Sequence, residues 1–413
     1  MAGAVVIGST GVTAVAATGD SENMDPIGNS RPAQAHTLAL DGKDHKKRSL
    51  PRTETQSFSL VGVSWDDSAD AFEGTAQIRT RDADDGTWTE WSDLDFDIRA
   101  PESAEGRDSG VRGASEPLWV GPSDAIEARV LADGEETAVP KALRIDMIDP
   151  GTVKGQGKGN VEGDGQLSAM SKSEKPTTDP SGEPSSVPDP RPTASESPTP
   201  DPSVSTGPTT PAAPQIVSRA EWGADESLVT EPPSYLAKVD AVFVHHTAGT
   251  NSYECAESPA IIRAILTYHV KSNGWSDTGY NFFVDKCGTV FEGRAGGTDK
   301  PVRGAHTYGF NGYSAGVSLL GDYENGGTPT AAAKQAIADV SAWKLGLHGV
   351  DPQAQVTLTA AGDTGVYKTG DRATLHTVSG HRDGYATLCP GAALYSELPE
   401  IRRTAGDSVY AAN

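Results

Sequence analysis

The chain has 413 residues, which is enough for two domains and the segments that join them. It carries 57 acidic and 34 basic residues, and a formal net charge of -23 argues against the basic surface that nucleic-acid binding requires. The same charge opposes simple attraction to an anionic membrane or wall polymer. No apolar stretch is long enough to span a bilayer comfortably, so no membrane span is expected.

Residues 1–50 predict the remnant of an export signal followed by a disordered tail. Residues 2–17 are small and apolar, and they contain Ala14-Val15-Ala16, an ending that suits signal peptidase. The first basic residue is Arg31, so the basic segment that usually opens a signal is missing. We interpret this as a signal whose true start lies further upstream, and we expect a secreted protein. The alternative is a disordered tail alone.

Residues 51–150 show the period-two alternation of half-buried strands. Leu94, Phe96 and Ile98 alternate with acidic residues, and apolar residues alternate with Glu127 and Arg129 over residues 126–130. Short strands of this kind, separated by turn residues, predict a small antiparallel β-sandwich-like domain.

Three tryptophans of this region allow two interpretations. Trp88, Trp91 and Trp119 would suit a carbohydrate platform, since flat aromatic faces stack on sugars, but core or edge positions are the favoured interpretation. The region contains no catalytic constellation. A further hypothesis makes it the main functional part, an adhesin for the cell wall or for a partner.

Residues 151–214 predict a disordered linker. The segment is rich in Pro, Ser, Thr, Gly and Asp, which cannot bury enough apolar area to offset the cost of ordering the backbone. Its prolines favour an extended, semi-stiff chain that would hold two domains apart.

Residues 215–413 predict an α/β domain with a mixed central sheet flanked by helices. Apolar runs typical of strands alternate with segments of helical spacing, two of which open with Ser258-Pro259 and Thr328-Pro329. Strands are expected near residues 241–244, 281–284, 289–292, 316–320 and 375–379, and helices from residues 258, 328 and 394.

Two motifs in this domain offer ligands for a metal. His245 ends an apolar run, and His381 and Cys389 lie eight residues apart further along the chain. Two imidazoles and one thiolate suit a zinc site with an open fourth position, where a bound water has a pKa near ~7, so a hydrolase is expected. The competing interpretation makes Cys389 a nucleophile with His381 as its base, but it leaves His245 unexplained.

The chain has three cysteines. With Cys389 assigned to the metal, Cys255 and Cys287 would form one disulfide in an oxidising compartment. The alternative is two unpaired cysteines in the core.

Five short motifs follow one another over about residues 215–405. The motifs are SRAEWG at 218–223, VHHTAG at 244–249, GYNF at 279–282, EGR at 292–294 and GAH at 304–306. In sequence and order they resemble the peptidoglycan recognition protein family, which includes the type 2 N-acetylmuramoyl-L-alanine amidases. The chain resembles an actinobacterial member with a β-rich domain ahead of the family domain.

The resemblance implies a mixed-sheet fold, one zinc ion and hydrolysis of the amide bond between N-acetylmuramic acid and L-alanine in peptidoglycan. Its zinc ligands map onto His245, His381 and Cys389. It also implies a secreted, wall-associated protein that binds the glycan strand and stem peptide, and we expect a monomer. Family members that only recognise peptidoglycan usually lack the cysteine ligand, so the enzyme is favoured over the binding module.

The resemblance also implies roles for residues near the metal. Tyr280 would steady the developing oxyanion or orient the water. Thr387 stands where some phage members have lysine and some animal amidases have threonine, so it is a candidate catalytic residue. Related cytoplasmic amidases have a glutamate base where this chain has Ser318, and no obvious carboxylate replaces it.

Four further residues match positions in the family's substrate groove. Arg294 is a candidate partner for a carboxylate of the stem peptide, whereas surface or capping roles are the alternative for each residue of the set. The four are His269, Arg294, His306 and Asn311.

Overall fold

The computed structural model describes residues 30–40, 48–68, 74–96, 98–108, 110–131, 142–153, 212–229 and 231–411. The expected export signal and most of the expected linker lie outside these ranges. Within the described ranges, no helix has both the length and the apolar character needed to cross a membrane.

The N-terminal domain is one antiparallel sheet in the described part of the chain, which confirms the predicted antiparallel β-domain. The order is β1-β7-β2-β6-β3-β4, with β5 paired to β2. Its strands are β1 Gln34–Ala39, β2 Ser49–Trp65, β3 Thr75–Asp82, β4 Ser92–Leu94, β5 Gly113–Ala114, β6 Leu118–Leu131 and β7 Arg144–Asp149.

Alternating burial along these strands builds the N-terminal core. In β3 every second residue is buried, as the period-two pattern requires, and Ile78 packs in the core with Phe58 and Val130. Strand β1 falls in the segment that the sequence assigned to a tail. Its largely exposed residues leave little apolar signal, and its backbone is held by pairing with β7.

Trp119 lies apart from Trp88 and Trp91, so the three tryptophans form no common platform. Trp119 is 5% exposed and packs in a core shared with the C-terminal domain. Trp88 and Trp91 are half-buried, and arginine side chains lie over their rings. The core interpretation is therefore confirmed for Trp119.

The C-terminal domain has a six-stranded mixed sheet, which confirms the predicted fold class. Its order is β15-β9-β12-β10-β11-β8, and β13 and β14 form a separate hairpin. Four neighbouring strands, from β15 to β10, are parallel, whereas β11 is antiparallel to β10. The strands are β8 Ile216–Val217, β9 Ala241–His246, β10 Phe282–Val284, β11 Val290–Glu292, β12 Ser314–Leu319, β13 Gln355–Thr359, β14 Arg372–His376 and β15 Val378–Gly380.

Helices cover both faces of this sheet. Helices α3 and α5 pack on one face, and α2 packs on the other. Pro259 lies in the first turn of α2, as expected, while α3 is capped by Thr330 rather than beginning at residue 328. The helices are α1 Arg219–Trp222, α2 Ser258–Lys271, α3 Ala331–Gly346, α4 His381–Gly384 and α5 Ala392–Gly406, with short 3₁₀ turns at Glu105–Arg107, Glu226–Leu228 and Cys255–Glu257.

Helix α2 lies between the two sheets and joins the domains. Ten of its fourteen residues are buried, and apolar residues of the N-terminal sheet share its core. The Tyr268 hydroxyl lies 3.2 Å from the carbonyl oxygens of both Val63 and Ser115 across the interface. The Cys255–Cys287 disulfide is formed, as predicted, and ties the start of α2 to the β10–β11 turn.

Candidate metal centre

Sheet topology brings the three predicted ligands to one edge. Strands β9 and β15 are parallel neighbours, so their carboxyl ends meet. His245 lies at the end of β9, and His381 opens α4 directly after β15. Cys389 follows in the loop before α5, and its sulfur accepts a hydrogen bond from the backbone N–H of His246 at 3.4 Å.

The ligand atoms of His245, His381 and Cys389 lie within 4.8 Å of one another. Sγ of Cys389 lies 3.7 Å from Nδ1 of His245, and the two histidine rings are 4.4 Å apart between centroids. Two nitrogens and one sulfur at this spacing fit a zinc ion, with one position open to solvent or substrate.

Burial sets the charge states of this ligand set. The three side chains are 0%, 5% and 7% exposed, respectively. Burial lowers the pKa of His381 to about 3 and lowers that of His245, so both imidazoles are neutral and able to bind a metal. Burial raises the pKa of the Cys389 thiol, which opposes its use as a metal-free nucleophile.

A second histidine orients His245. The Nε2 atom of His245 lies 3.1 Å from Nδ1 of His306 and 3.4 Å from Oγ1 of Thr307, on the side away from the cysteine contact through Nδ1. This is the usual arrangement around a ligand imidazole, whose other nitrogen is held by a hydrogen-bond acceptor. His306 was expected in the substrate groove; it also lines the adjoining cavity.

Tyr280 and His269 stand beside the ligand cluster. The ring of Tyr280 lies 5.1 Å from that of His245, and burial raises the pKa of the phenol well above its ordinary value, so it remains a neutral donor. Nδ1 of His269 accepts from the Gly279 N–H at 3.1 Å, and burial lowers the pKa of His269 to about 3. The proton of this neutral ring therefore sits on Nε2, which is buried without a partner in the described structure and belongs to a cavity-lining side chain.

Thr387 lines a small cavity together with Cys389 and His381. Its Oγ1 accepts a hydrogen bond from the Cys389 N–H at 3.0 Å. The hydroxyl therefore shapes the ligand loop and keeps its own proton for donation.

The remaining two expected groove residues are covered by the N-terminal domain. Nη2 of Arg294 lies 2.6 Å from both carboxylate oxygens of Glu105. The side-chain oxygen of Asn311 accepts hydrogen bonds from the backbone N–H groups of residues 306 and 307. Its amide nitrogen donates to Glu102 at 2.8 Å.

Sequence reasoning missed the acidic residues that the N-terminal domain brings to the centre. Glu116 and Asp95 line the same small cavity as Cys389, and Oε2 of Glu116 lies 3.5 Å from the Tyr280 hydroxyl. No local signal marks these residues. Asp95 alternates with apolar residues, as is typical of the solvated face of a strand, and Glu116 lies between Ser115 and Pro117, as is typical of a polar loop.

Two known families match the chain, one over the N-terminal domain and the other over the C-terminal domain. Residues 19–148 match the family described as Rv3811 N-terminal galactose-binding domain-like, and residues 235–392 match the N-acetylmuramoyl-L-alanine amidase family. Over 184 residues the chain is 32% identical to peptidoglycan-recognition protein SC1a of Drosophila melanogaster, covering 44% of this chain and 83% of that protein. The chain belongs to the peptidoglycan recognition protein family.

Other similarities to family members cover the same domain. The chain is 32% identical to peptidoglycan recognition protein 1 of Bos taurus over 192 residues, which is 46% of this chain and 86% of that protein. The solved structure of Drosophila PGRP-LB is 25% identical, with a TM-score of 0.35, over 45% of this chain and 92% of that one. Membership in the peptidoglycan recognition protein family indicates a function in recognising peptidoglycan or in hydrolysing its amide bonds.

Proposed function

We propose that the C-terminal domain is a zinc-dependent amidase that hydrolyses the bond between N-acetylmuramic acid and L-alanine in peptidoglycan. The observation that carries this proposal is the complete ligand cluster of His245, His381 and Cys389, whose ligand atoms lie within 4.8 Å of one another. A recognition module needs a groove but no metal, so a buried two-histidine, one-cysteine cluster favours hydrolysis over binding alone.

The residues around the cluster suit hydrolysis of an amide. His245, His381 and Cys389 would hold the zinc, which when bound polarises a carbonyl and supplies an activated water at neutral pH. Tyr280 is a neutral phenol beside the cluster, and it would donate to the carbonyl oxygen as negative charge develops there. The unpartnered Nε2–H of His269 offers a second donor from the wall of the same cavity.

Other side chains would support the ligands and the substrate. His306 holds the far nitrogen of His245, and the Thr387 hydroxyl is available to donate to a substrate atom near Cys389. Arg294 presents a buried guanidinium that suits a stem-peptide carboxylate, and Asn311 shapes the backbone beside His306.

The proposal also gives the protein a location. A disulfide between Cys255 and Cys287 is typical of oxidising compartments, and peptidoglycan lies outside the cytoplasmic membrane. We therefore propose a secreted, wall-associated monomer whose partner is peptidoglycan.

Zinc content and product analysis test the proposal together. Purified protein is expected to hold one zinc. The cleft-opening variant described below is expected to release stem peptides with a free L-alanine amino group from purified peptidoglycan, and the wild type is expected to release the same peptides much more slowly. Chelation should stop the release, and added zinc should restore it. Cys389→Ala should lose both zinc and hydrolysis while keeping peptidoglycan binding.

His348→Ala is the matched control for a His245→Ala variant, because His348 lies outside the ligand cluster. It should keep zinc and hydrolysis, whereas His245→Ala should lose both. Peptide release that survives both Cys389→Ala and His245→Ala would contradict the zinc mechanism. Wall binding without release, by the wild type and by the cleft-opening variant described below, would favour the recognition module.

A further inference from the structure

One segment of the N-terminal domain lies against the cleft of the amidase domain. This segment comprises the described residues 98–108 and 110–116, and is called the occluding segment below. It leads from β4 through the short 3₁₀ turn and β5 to the start of β6. Its contacts include Arg294 and Asn311, which the preceding sections assigned to the substrate groove.

Two of these contacts place carboxylates on polar groove residues. Glu105 pairs with Arg294 at 2.6 Å and accepts from the Ser276 N–H at 2.9 Å. Glu102 accepts from the Asn311 amide at 2.8 Å. The side chain of Arg294 is 7% exposed and that of Glu105 is 18% exposed, so the pair is largely removed from solvent.

Apolar and backbone contacts hold the same segment down. Val111 packs in a small cluster with Trp275 and Ala305, and two further apolar residues of the segment lie against it. The backbone approach is close, because a Cβ on Gly274, which has a φ of +74°, would lie 2.1 Å from the carbonyl oxygen of Gly110. Any side chain at Gly274 would push the segment away.

The space left at the ligand cluster is small. A cavity of only about 10 Å³ is lined on one side by residues of the occluding segment, including Ile98 and Glu116, and on the other by Tyr280 and His381. A second cavity beside Cys389 also measures only about 10 Å³. A peptidoglycan fragment carrying sugar and stem peptide is far larger than either space, so it cannot reach the cluster in this conformation.

The ion pair that covers Arg294 can be displaced. Both oxygens of Glu105 contact Nη2, whereas Nη1 is buried without a hydrogen-bond partner in the described structure. A carboxylate that engaged both guanidinium nitrogens would make the stronger, bidentate pair. Glu105 therefore covers the groove, but a substrate carboxylate that binds both nitrogens of Arg294 can replace it.

We propose that the occluding segment is autoinhibitory, and that the protein is latent until this segment leaves the cleft. Glu105 occupies Arg294 in the place of a substrate carboxylate, and the segment as a whole keeps large substrates from the ligand cluster. The identity of the excluded substrate rests on the proposed amidase function, but the occlusion itself does not.

The test compares full-length Glu105→Arg, which places a second cation against Arg294, with wild type. Glu90→Arg is the matched control, since it makes the same change of charge at an exposed position of the N-terminal domain outside the segment. The first readout is the rate at which Cys389, the one free thiol of the three cysteines, reacts with a thiol reagent in chelator-treated protein. The second readout is peptide release from peptidoglycan by the zinc-loaded protein.

We expect Glu105→Arg to raise both rates by about tenfold or more, and Glu90→Arg to leave both unchanged. Faster thiol reaction without peptide release would keep the occlusion and overturn the amidase proposal. Wild-type rates for both readouts in a folded Glu105→Arg protein would overturn autoinhibition. Should that variant fail to fold by circular dichroism, Glu105→Gln, which removes the charge at nearly constant shape, decides between the same outcomes.

Discussion

Replacement of His306 should weaken zinc binding although His306 is not itself a proposed ligand. Its Nδ1 lies 3.1 Å from Nε2 of His245 and fixes the orientation of that imidazole. Loss of such an outer partner typically lowers metal affinity about 10- to 100-fold. The structure places the His306→Ala effect near the lower figure, because Oγ1 of Thr307 lies 3.4 Å from the same nitrogen and can take over as acceptor.

The double variant separates these two acceptors. With His306→Ala and Thr307→Val together, Nε2–H of His245 loses both acceptors, and the loss should approach about 100-fold, or about 2.7 kcal/mol. Thr307→Val alone should have little effect, since the shorter contact to His306 remains. The losses of zinc-binding free energy in the two single variants should therefore add up to less than the loss in the double variant.

Zinc affinity is measured by competition with a chromophoric chelator at neutral pH. His348→Ala serves as the control for loss of a histidine elsewhere in the same domain. Equal zinc affinity in wild type and the double variant would refute the argument that His306 and Thr307 orient His245. So would a loss in His348→Ala as large as that in His306→Ala.

Two further predictions concern stability. Burial lowers the pKa of Lys344 from 10.5 to about 8. Between these two pH values, Lys344 is protonated in the unfolded chain but has released its proton in the folded protein. The free energy of unfolding should therefore rise with pH, by up to about 3 kcal/mol from this residue. Urea unfolding over that range should show a flatter pH dependence for Lys344→Met than for wild type, and parallel curves would contradict this. Tyr268→Phe removes the hydroxyl shared by the carbonyls of Val63 and Ser115 and should cost about 1 to 2 kcal/mol in the same assay. Tyr235→Phe, at a site 51% exposed, should change stability by less than about 0.5 kcal/mol, and an equal loss at both sites would contradict the assignment.

The ligand cluster could be predicted from sequence because local rules determine it. His245 ends an apolar strand, and His381 follows another strand that is its parallel neighbour. Strand ends of a parallel sheet meet at one edge, so motifs at those ends come together. The mixed sheet was predictable for the same reason, since its strands are continuous apolar runs.

The covering of the cleft could not be predicted in this way. Glu105 and Arg294 are 189 positions apart, and Glu102 and Asn311 are 209 apart. The sequence pattern around an acidic residue in a polar loop is the same whether its side chain is solvated or paired with a guanidinium. Only the docking of α2 against the N-terminal sheet decides between the two, and this docking depends on packing between distant segments.

Strand β1 and His306 illustrate two other limits. Six mostly exposed residues become a strand only because β7 supplies hydrogen-bond partners, and a period-two pattern cannot report that pairing. His306 was placed near the groove, but the direction of its ring toward His245 depends on the Asn311 side chain, which holds the surrounding backbone.

The position of α2 between two sheets has a consequence for biosynthesis. The Tyr268 hydroxyl meets Val63, which is made 205 residues earlier. The emerging N-terminal sheet must therefore keep an apolar face uncovered until α2 arrives, and during that interval it is exposed to aggregation. In the folded protein, the loop around Glu105 lies on the cleft of the domain that contains α2. Under the proposed autoinhibition, a newly folded molecule would be closed from the moment of its assembly, and the cell that produces it would need no separate inhibitor.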